Sequence, residues 1–316
     1  MSLVNLMSRM PAAVAQGMIW GIMALGVYIT FRILRVSDLS VDGTFATGGA
    51  VSVMLLLNGC PAWVALLAAV AAGILAGLIT GLLHTRLGIP AILAGILTQF
   101  ALYSINLRIM GMKSNQTASL KKYGMFFDNG TGFLISSRYV PQAILVGGII
   151  SVIVILALYW YFGTEQGSAI RATGSNPNMA AAQGINNSNM TVLGLALSNG
   201  MVGLAGALMT QFQGTADVNM GRGAIVIGLA AIVIGEVICD ALFSKGCNFG
   251  IRLGFVVIGG ILYYMVMTVI LWLKLDPNDL KLFTAIIVTV FLAVPYLQQK
   301  SKSSFRQAAK KAGKEG

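Results

Sequence analysis

Apolar runs recur along this chain from end to end, most of them about 20 residues long and so long enough to cross a hydrocarbon core as a helix. They cover residues 11–31, 45–57, 62–83, 91–110, 142–162, 190–212, 224–238, 251–273 and 282–297. Soluble-core helices would carry polar faces of comparable size, and the composition leaves no room for them: 57% of the residues are hydrophobic and only 10% charged. The expectation is an all-α polytopic membrane protein with about nine hydrophobic segments, in a membrane domain over residues 1–299 followed by a basic tail, 300–316. Two of the runs, 45–57 and 224–238, are short for a full crossing. Short runs bounded by Gly and Asp mark discontinuous helices.

The formal charge of +11 raises a nucleic-acid reading. The basic residues, however, gather in the tail and at span ends, as the positive-inside rule and anionic lipid headgroups explain. A cytoplasmic tail puts the turns at Arg32/Arg35, His84/Arg86, Arg171 and Lys245/Arg252 inside, and the N-terminus and the 111–141 loop outside. Three cysteines, no C-x-x-C pair and a single histidine argue against a disulfide framework or a metal site. His84 reads as an interfacial residue. The start, MSLVNLMSRMP, lacks the pattern of a cleavable signal, so the first span is expected to stay. Gly73, Gly77 and Gly81, four residues apart, form a close-packing face. In the long polar loop, Asp128-Asn129-Gly130 gives a hairpin-like signal, in a loop that either touches a partner or is simply ordered.

Residues 171–185, RATGSNPNMAAAQGI, are the sizeable polar interruption between two long apolar segments. Asn176 suits an N-cap, Pro177 the first helical position and Gly184 a helix stop. A short helix of small residues on a loop between spans points to something docking against it.

Two places read alike. Asp38-Leu39-Ser40-Val41 and Asp217-Val218-Asn219-Met220 share the order acid, aliphatic, small polar, apolar. Each follows a full span and precedes a short apolar run, with Gly49 and Gly228 in the same register. One lies on the inner side and the other on the outer, the arrangement of an inverted-topology repeat. Two readings of these interruptions stay open. Asp38, Asp42, Asp217 and Arg222, with Ser40, Thr44 and Asn219 beside them, line a translocation path, because ionisable groups at membrane depth are costly and usually face a cavity. Alternatively, each Asp caps the helix that starts just after it.

The long spans hold almost no ionisable groups of the kind that bind coupling ions, and no G-x-x-x-x-G-K-[ST] loop is present. Such a chain is either a passive channel or is driven by a separate subunit, and the 171–185 segment favours the second. A membrane-bound enzyme has little support, since no nucleophile–base or metal spacing is evident.

The run RATGSNPNMAAAQGINNSNM, the DLSV break after an early span and the later GLAAIVIGEV together resemble the permease subunits of bacterial ABC importers, in the branched-chain amino-acid and ribose permease family. The resemblance covers about residues 16–297 and is strongest to a subgroup of tryptophan/tyrosine transport permeases. It implies a type II-like inverted-repeat bundle related to the cobalamin importer, in the bacterial cytoplasmic membrane. It also implies a second permease copy, two cytoplasmic ATPase subunits that hold ATP-Mg, and an extracytoplasmic binding lipoprotein. This chain would itself hold no cofactor and would carry a small solute. An amino acid of aromatic or other apolar type is expected, with a sugar or nucleoside as the alternative. By matching position, Arg171, Gly174, Asn176, Pro177, Ala180, Ala181, Gly184 and Ile185 would form the coupling helix and its flanks, within a cytoplasmic segment spanning 163–189. Against the ribose branch of the family, the chain is expected to lack an extra N-terminal span and to begin more like the amino-acid branch.

Overall fold

A computed structural model describes residues 3–118, 124–125, 133–243 and 247–272, together with the helical positions Leu282, Ala285, Ile286, Thr289 and Ala293. Asp128-Asn129-Gly130, most of the 282–297 run and the 300–316 tail lie outside the described residues. The elements follow in order as α1 (Leu3–Tyr28), α2 (Val41–Leu57), α3 (Ala62–Thr85), α4 (Ala91–Ile109), β1 (Asn115–Thr117), α5 (Val140–Gly163), α6 (Glu165–Ser175), α7 (Pro177–Ala182), α8 (Asn187–Gln213), β2 (Thr215–Asp217), α9 (Ala224–Leu242) and α10 (Phe249–Trp272). Among the described residues seven helices are long and apolar enough to cross a membrane, and α2, at 17 residues, is a shorter apolar one. The expected count of about nine is thus approximate, since the run at 282–297 lies mostly outside the described residues.

α1 does not end where its apolar run ends. It passes into a π-helical turn, Ile29–Leu34, closed by Arg35 in the left-handed conformation at φ 57°. A π-turn inside a helix adds a residue to the ladder and often accompanies a functional bend. The two short runs are longer as helices than as hydropathy segments. α2 begins at Val41 rather than Phe45, and α9 extends to Leu242 rather than Ile238. The polar residues Asp42 and Thr44 that hydropathy excludes from α2 are covered by neighbouring helices, so they continue it.

Between apolar helices in lipid the hydrophobic effect supplies little attraction, and close packing takes its place. α8 is the spine of that packing. Gly73, Gly77 and Gly81 of α3 press in turn on the α8 backbone at Asn199, Leu195 and Val192, which makes the two helices antiparallel. The sequence pattern's close-packing face is therefore used along its whole length. Gly48 of α2 meets Gly203 and Gly49 meets Thr210, while Thr44 bonds Asn199, so α2 runs parallel to α8. α9 runs the opposite way: Gly228 packs on Met23 and Val27 of α1, and Glu236 pairs with Arg32. α1 is antiparallel to α8, with Gly26 against Ser198 and Leu34 against Gly194.

One end of the bundle gathers the basic turns. Arg32, Arg35 and Arg252 share a charged recess of about 500 Å³ with Glu236 and Asp240, and Arg171 borders a second one nearby. His84, on the same end, bonds its Nδ1 to Ile89 O at 2.8 Å and closes a turn, in keeping with a residue at a span end. The opposite end carries a two-stranded antiparallel sheet in which Asn115 pairs with Asp217 and Thr117 with Thr215. The second polar interruption is thus partly a strand, held by the long loop, and not only unwound chain. Contrary to the expectation from three scattered cysteines, Cys239 and Cys247 are joined in a disulfide, because the α9–α10 turn brings their Cα atoms to 6.4 Å.

A substitution pair tests the spine. Gly77→Val would drive its side chain into Leu195 O and the Ala196 backbone, so the purified protein should lose about 1–3 kcal/mol or more and melt several degrees lower. Gly148→Ala, whose Cβ enters open space, should leave the melting temperature unchanged or raised.

Candidate functional site

The matched motifs at Asp38 and Asp217 have one local meaning. In each, the carboxylate accepts the backbone N–H two residues on: Ser40 N to Asp38 Oδ1 at 2.8 Å, and Asn219 N to Asp217 Oδ1 at 2.7 Å. The order acid, aliphatic, small polar is therefore an Asx turn made twice. Neither Asp caps the following helix in the simple way the sequence suggests. α2 starts after Ser40 and α9 after Gly223, and neither cap residue uses its side chain.

The cap comes from elsewhere. Asp42, in the first turn of α2, reaches across to α9, accepting Gly223 N at 2.9 Å on Oδ2 and Ile225 N at 3.1 Å on Oδ1. A Cβ at Gly221 would strike Asp42 O. Since α2 and α9 run in opposite directions, their N-termini meet head to head at Asp42. Both bring unsatisfied N–H groups and the positive end of a helix dipole; the Asp42 carboxylate bonds the N–H groups of the α9 end and places its negative charge in the first turn of α2.

Behind this junction lies a closed polar network. Asp38, only 2% exposed, accepts Ser40 Oγ at 2.6 Å and Asn199 Nδ2 at 2.7 Å. Asn199 Oδ1 in turn accepts Thr44 Oγ1 at 2.7 Å, and its Nδ2 also donates to Leu195 O at 3.0 Å. Asp38, Ser40 and Thr44 are thus fully partnered and buried. Asn199 joins them to α8, and only its place one turn above Leu195 in a long apolar helix could have pointed to it. Asp42, Asn219 and Arg222 instead border a cavity of about 250 Å³, whose other wall is formed by α4 through Gln99, Phe100, Tyr103 and Asn106. Asp217 stays at the sheet end, half-buried in β2. Among the described residues no three His, Cys, Asp or Glu side chains converge as metal ligands.

At the basic end, the 171–185 segment is a helical elbow with more order than the sequence suggests. Arg171 and Gly174 lie on α6, a helix started by Thr164, whose Oγ1 accepts Gly167 N at 3.4 Å. Asn176 caps α7 as expected, accepting Met179 N at 3.1 Å, with Pro177 at the first helical position. α7 stops in a Schellman motif: Ile185 N bonds Ala180 O and Gly184 N bonds Ala181 O at 3.0 Å each, with Gly184 at φ 80°. Ala180 is buried, whereas Pro177, Met179 and Ala181 face outward, Met179 at 63% exposure. Asn187, unremarked in the sequence, ties the elbow together by donating to Pro177 O at 2.7 Å and accepting Thr173 Oγ1 at 3.2 Å.

The elbow is seated on the first span. A Cβ at Gly174 would run into Ile33 O, and one at Gly194 into Leu34. The π-helical turn is therefore clamped between α6 and α8, four residues ahead of Asp38.

Residues 10–294 match the family described as branched-chain amino acid transport system / permease component. The chain is 35% identical over 298 residues to the tyrosine transport system permease protein of Clostridioides difficile, covering 94% of this chain and 95% of that one. It is 25% identical over 238 residues to the ribose import permease protein of Haemophilus influenzae, across 74% and 71% of the two. In fold it is similar to the solved structure of PsaBC from Streptococcus pneumoniae in complex with Fab, with a TM-score of 0.50, 14% identity and coverage of 92% and 95%.

The head-to-head cap makes a measurable demand. Asp42→Ala leaves two N–H groups of α9 without an acceptor and two helix ends without a counter-charge, and should remove about 2 kcal/mol of stability. Asp42→Asn, which keeps one acceptor oxygen, should fall between the two in thermal melting of the detergent-purified protein.

Proposed function

Because the chain belongs to the family of permease components of branched-chain amino acid transport systems, we propose that it is the membrane-spanning subunit of an ABC importer that moves an amino acid of aromatic or other apolar type inward. It is a multi-pass bacterial membrane protein. ATP-Mg is bound and hydrolysed by separate ATPase subunits, and solute is delivered on the opposite face by an extracytoplasmic binding lipoprotein. The similarity to a tyrosine transport permease over nearly the whole of both chains supports an amino acid over a sugar. A second copy of the chain covers α4. That span exposes Ser104 and Arg108, which lipid would penalise and which protein or water would accept.

The observation that carries this reading is the elbow. α7 offers a small, outward surface at Pro177, Met179 and Ala181 for an ATPase groove, and α6 is packed through Gly174 onto the Ile33–Leu34 turn. Displacing the elbow as a rigid body therefore moves the end of the first span, and with it the chain that enters the Asp38–Asn199 network. Packed elements of this kind shift between discrete arrangements rather than deforming smoothly. Solute passes the Asp42 junction, at which the two interrupted helices diverge.

Met179→Asp and Ala181→Asp test the contact without touching the packed face. Each should leave the melting temperature unchanged, abolish co-purification of the ATPase and reduce solute uptake by about tenfold or more. Uptake into liposomes by the purified permease with no ATPase present would overturn the proposal in favour of a facilitator.

A further inference from the structure

The cavity beside the head-to-head junction holds more polar chemistry than the capping of α9 uses. Asn106 of α4 lines it and is fully buried, yet neither its Oδ1 nor its Nδ2 makes a hydrogen bond among the described residues. A buried amide with no bond carries a desolvation penalty that a purely structural position would avoid by being Leu. Arg222 stands one residue before the α9 cap, exposed and in no ion pair among the described residues. Asp42 spends one lone pair on each carboxylate oxygen in capping α9 and keeps the others for a further donor. The exposed rings of Phe100 and Tyr103 complete the α4 wall.

Two unlike charges on one small cavity, unpaired with each other, call for a solute that carries both. The carboxylate of an α-amino acid fits Arg222 and the positive helix ends, as anionic groups fit the N-termini of interrupted helices. Its ammonium fits the free lone pairs of Asp42, with the unbonded amide of Asn106 buried in the wall of the same cavity, where a small side-chain rotation would offer its Oδ1. An aromatic side chain fits against Phe100 and Tyr103. A neutral sugar would use the amides and leave Arg222 idle. We propose that this cavity is a solute subsite that recognises the zwitterionic head of an amino acid, with Asn106 and Arg222 as its specificity-determining residues. This rests on the reading of the chain as an amino-acid permease.

The test uses the full-length permease in lipid nanodiscs, with four probes followed by ligand-observed NMR titration. The probes are L-tyrosine, tyramine (no carboxylate), 3-(4-hydroxyphenyl)propionate (no ammonium) and D-ribose. L-Tyrosine should bind saturably, and the two one-charge analogues about tenfold more weakly. Arg222→Gln should erase the preference for L-tyrosine over tyramine. Asn106→Leu should weaken L-tyrosine binding about tenfold while the melting temperature holds or rises, which a merely structural Asn would not do. Both variants should lower L-tyrosine uptake in cells carrying the complete transporter. If no probe saturates, or if both variants bind as the unaltered protein does, the subsite is wrong; continued ATP-dependent L-tyrosine uptake would then leave the permease reading standing. If D-ribose alone binds and is taken up, both fall together.

Discussion

Two helices that begin at the same point and run apart present their positive ends and unbonded N–H groups to each other, and a membrane core has no water to satisfy them. α2 and α9 do this, and the Asp42 carboxylate, bonded to Gly223 N and Ile225 N, lets the junction exist. Without that counter-charge the two interruptions would have to separate or unwind. Much else depends on it: the depth to which residues 218–223 descend along α2, the contact of Gly221 with Asp42, and the cavity that opens against α4.

Around this junction the packing is made by absence of side chains. α3 lies on α8 through Gly73, Gly77 and Gly81, and α2 through Gly48. Where lipid offers no hydrophobic gain for helix association, such contacts give dispersion and fix relative position. The same device continues to the surface, where Gly174 and Gly194 hold the Ile33–Leu34 turn between α6 and α8. A contiguous run of tight contacts therefore joins the exposed α7 to Asn199 and Asp38. It is the physical basis on which the proposed ATPase contact could bias the junction, since tightly packed elements transmit displacement with little loss.

What could be read from the sequence was local or periodic. Hydropathy length marked the spans. The Asn176-Pro177 start and Gly184 stop of α7 were legible because caps depend on a few adjacent residues. The likeness of the segments at Asp38 and Asp217 was also visible, though not that it encodes an Asx turn in both. Less legible were α6, whose mixed polarity gives no apolar stripe, and the first turn of α2, whose Asp and Thr look like loop residues until other helices cover them. The β1–β2 pairing joins residues a hundred apart and leaves no periodic trace. Which helix each Asp would serve was not legible, because neighbours along the chain are all that a sequence offers.

The sequence by itself therefore determined that this chain lives in a membrane, roughly where it crosses, and that a short capped helix interrupts it, because burial length and capping are properties of contiguous residues. Only the tertiary structure decided which carboxylate serves which helix. Asp42 rather than Asp217 caps α9, Asn199 rather than solvent holds Asp38, and Asn106 is left facing a cavity with nothing to bond. Each depends on how helices far apart in the chain come to lie side by side, and glycines spaced for close approach, not the polar residues themselves, set that arrangement.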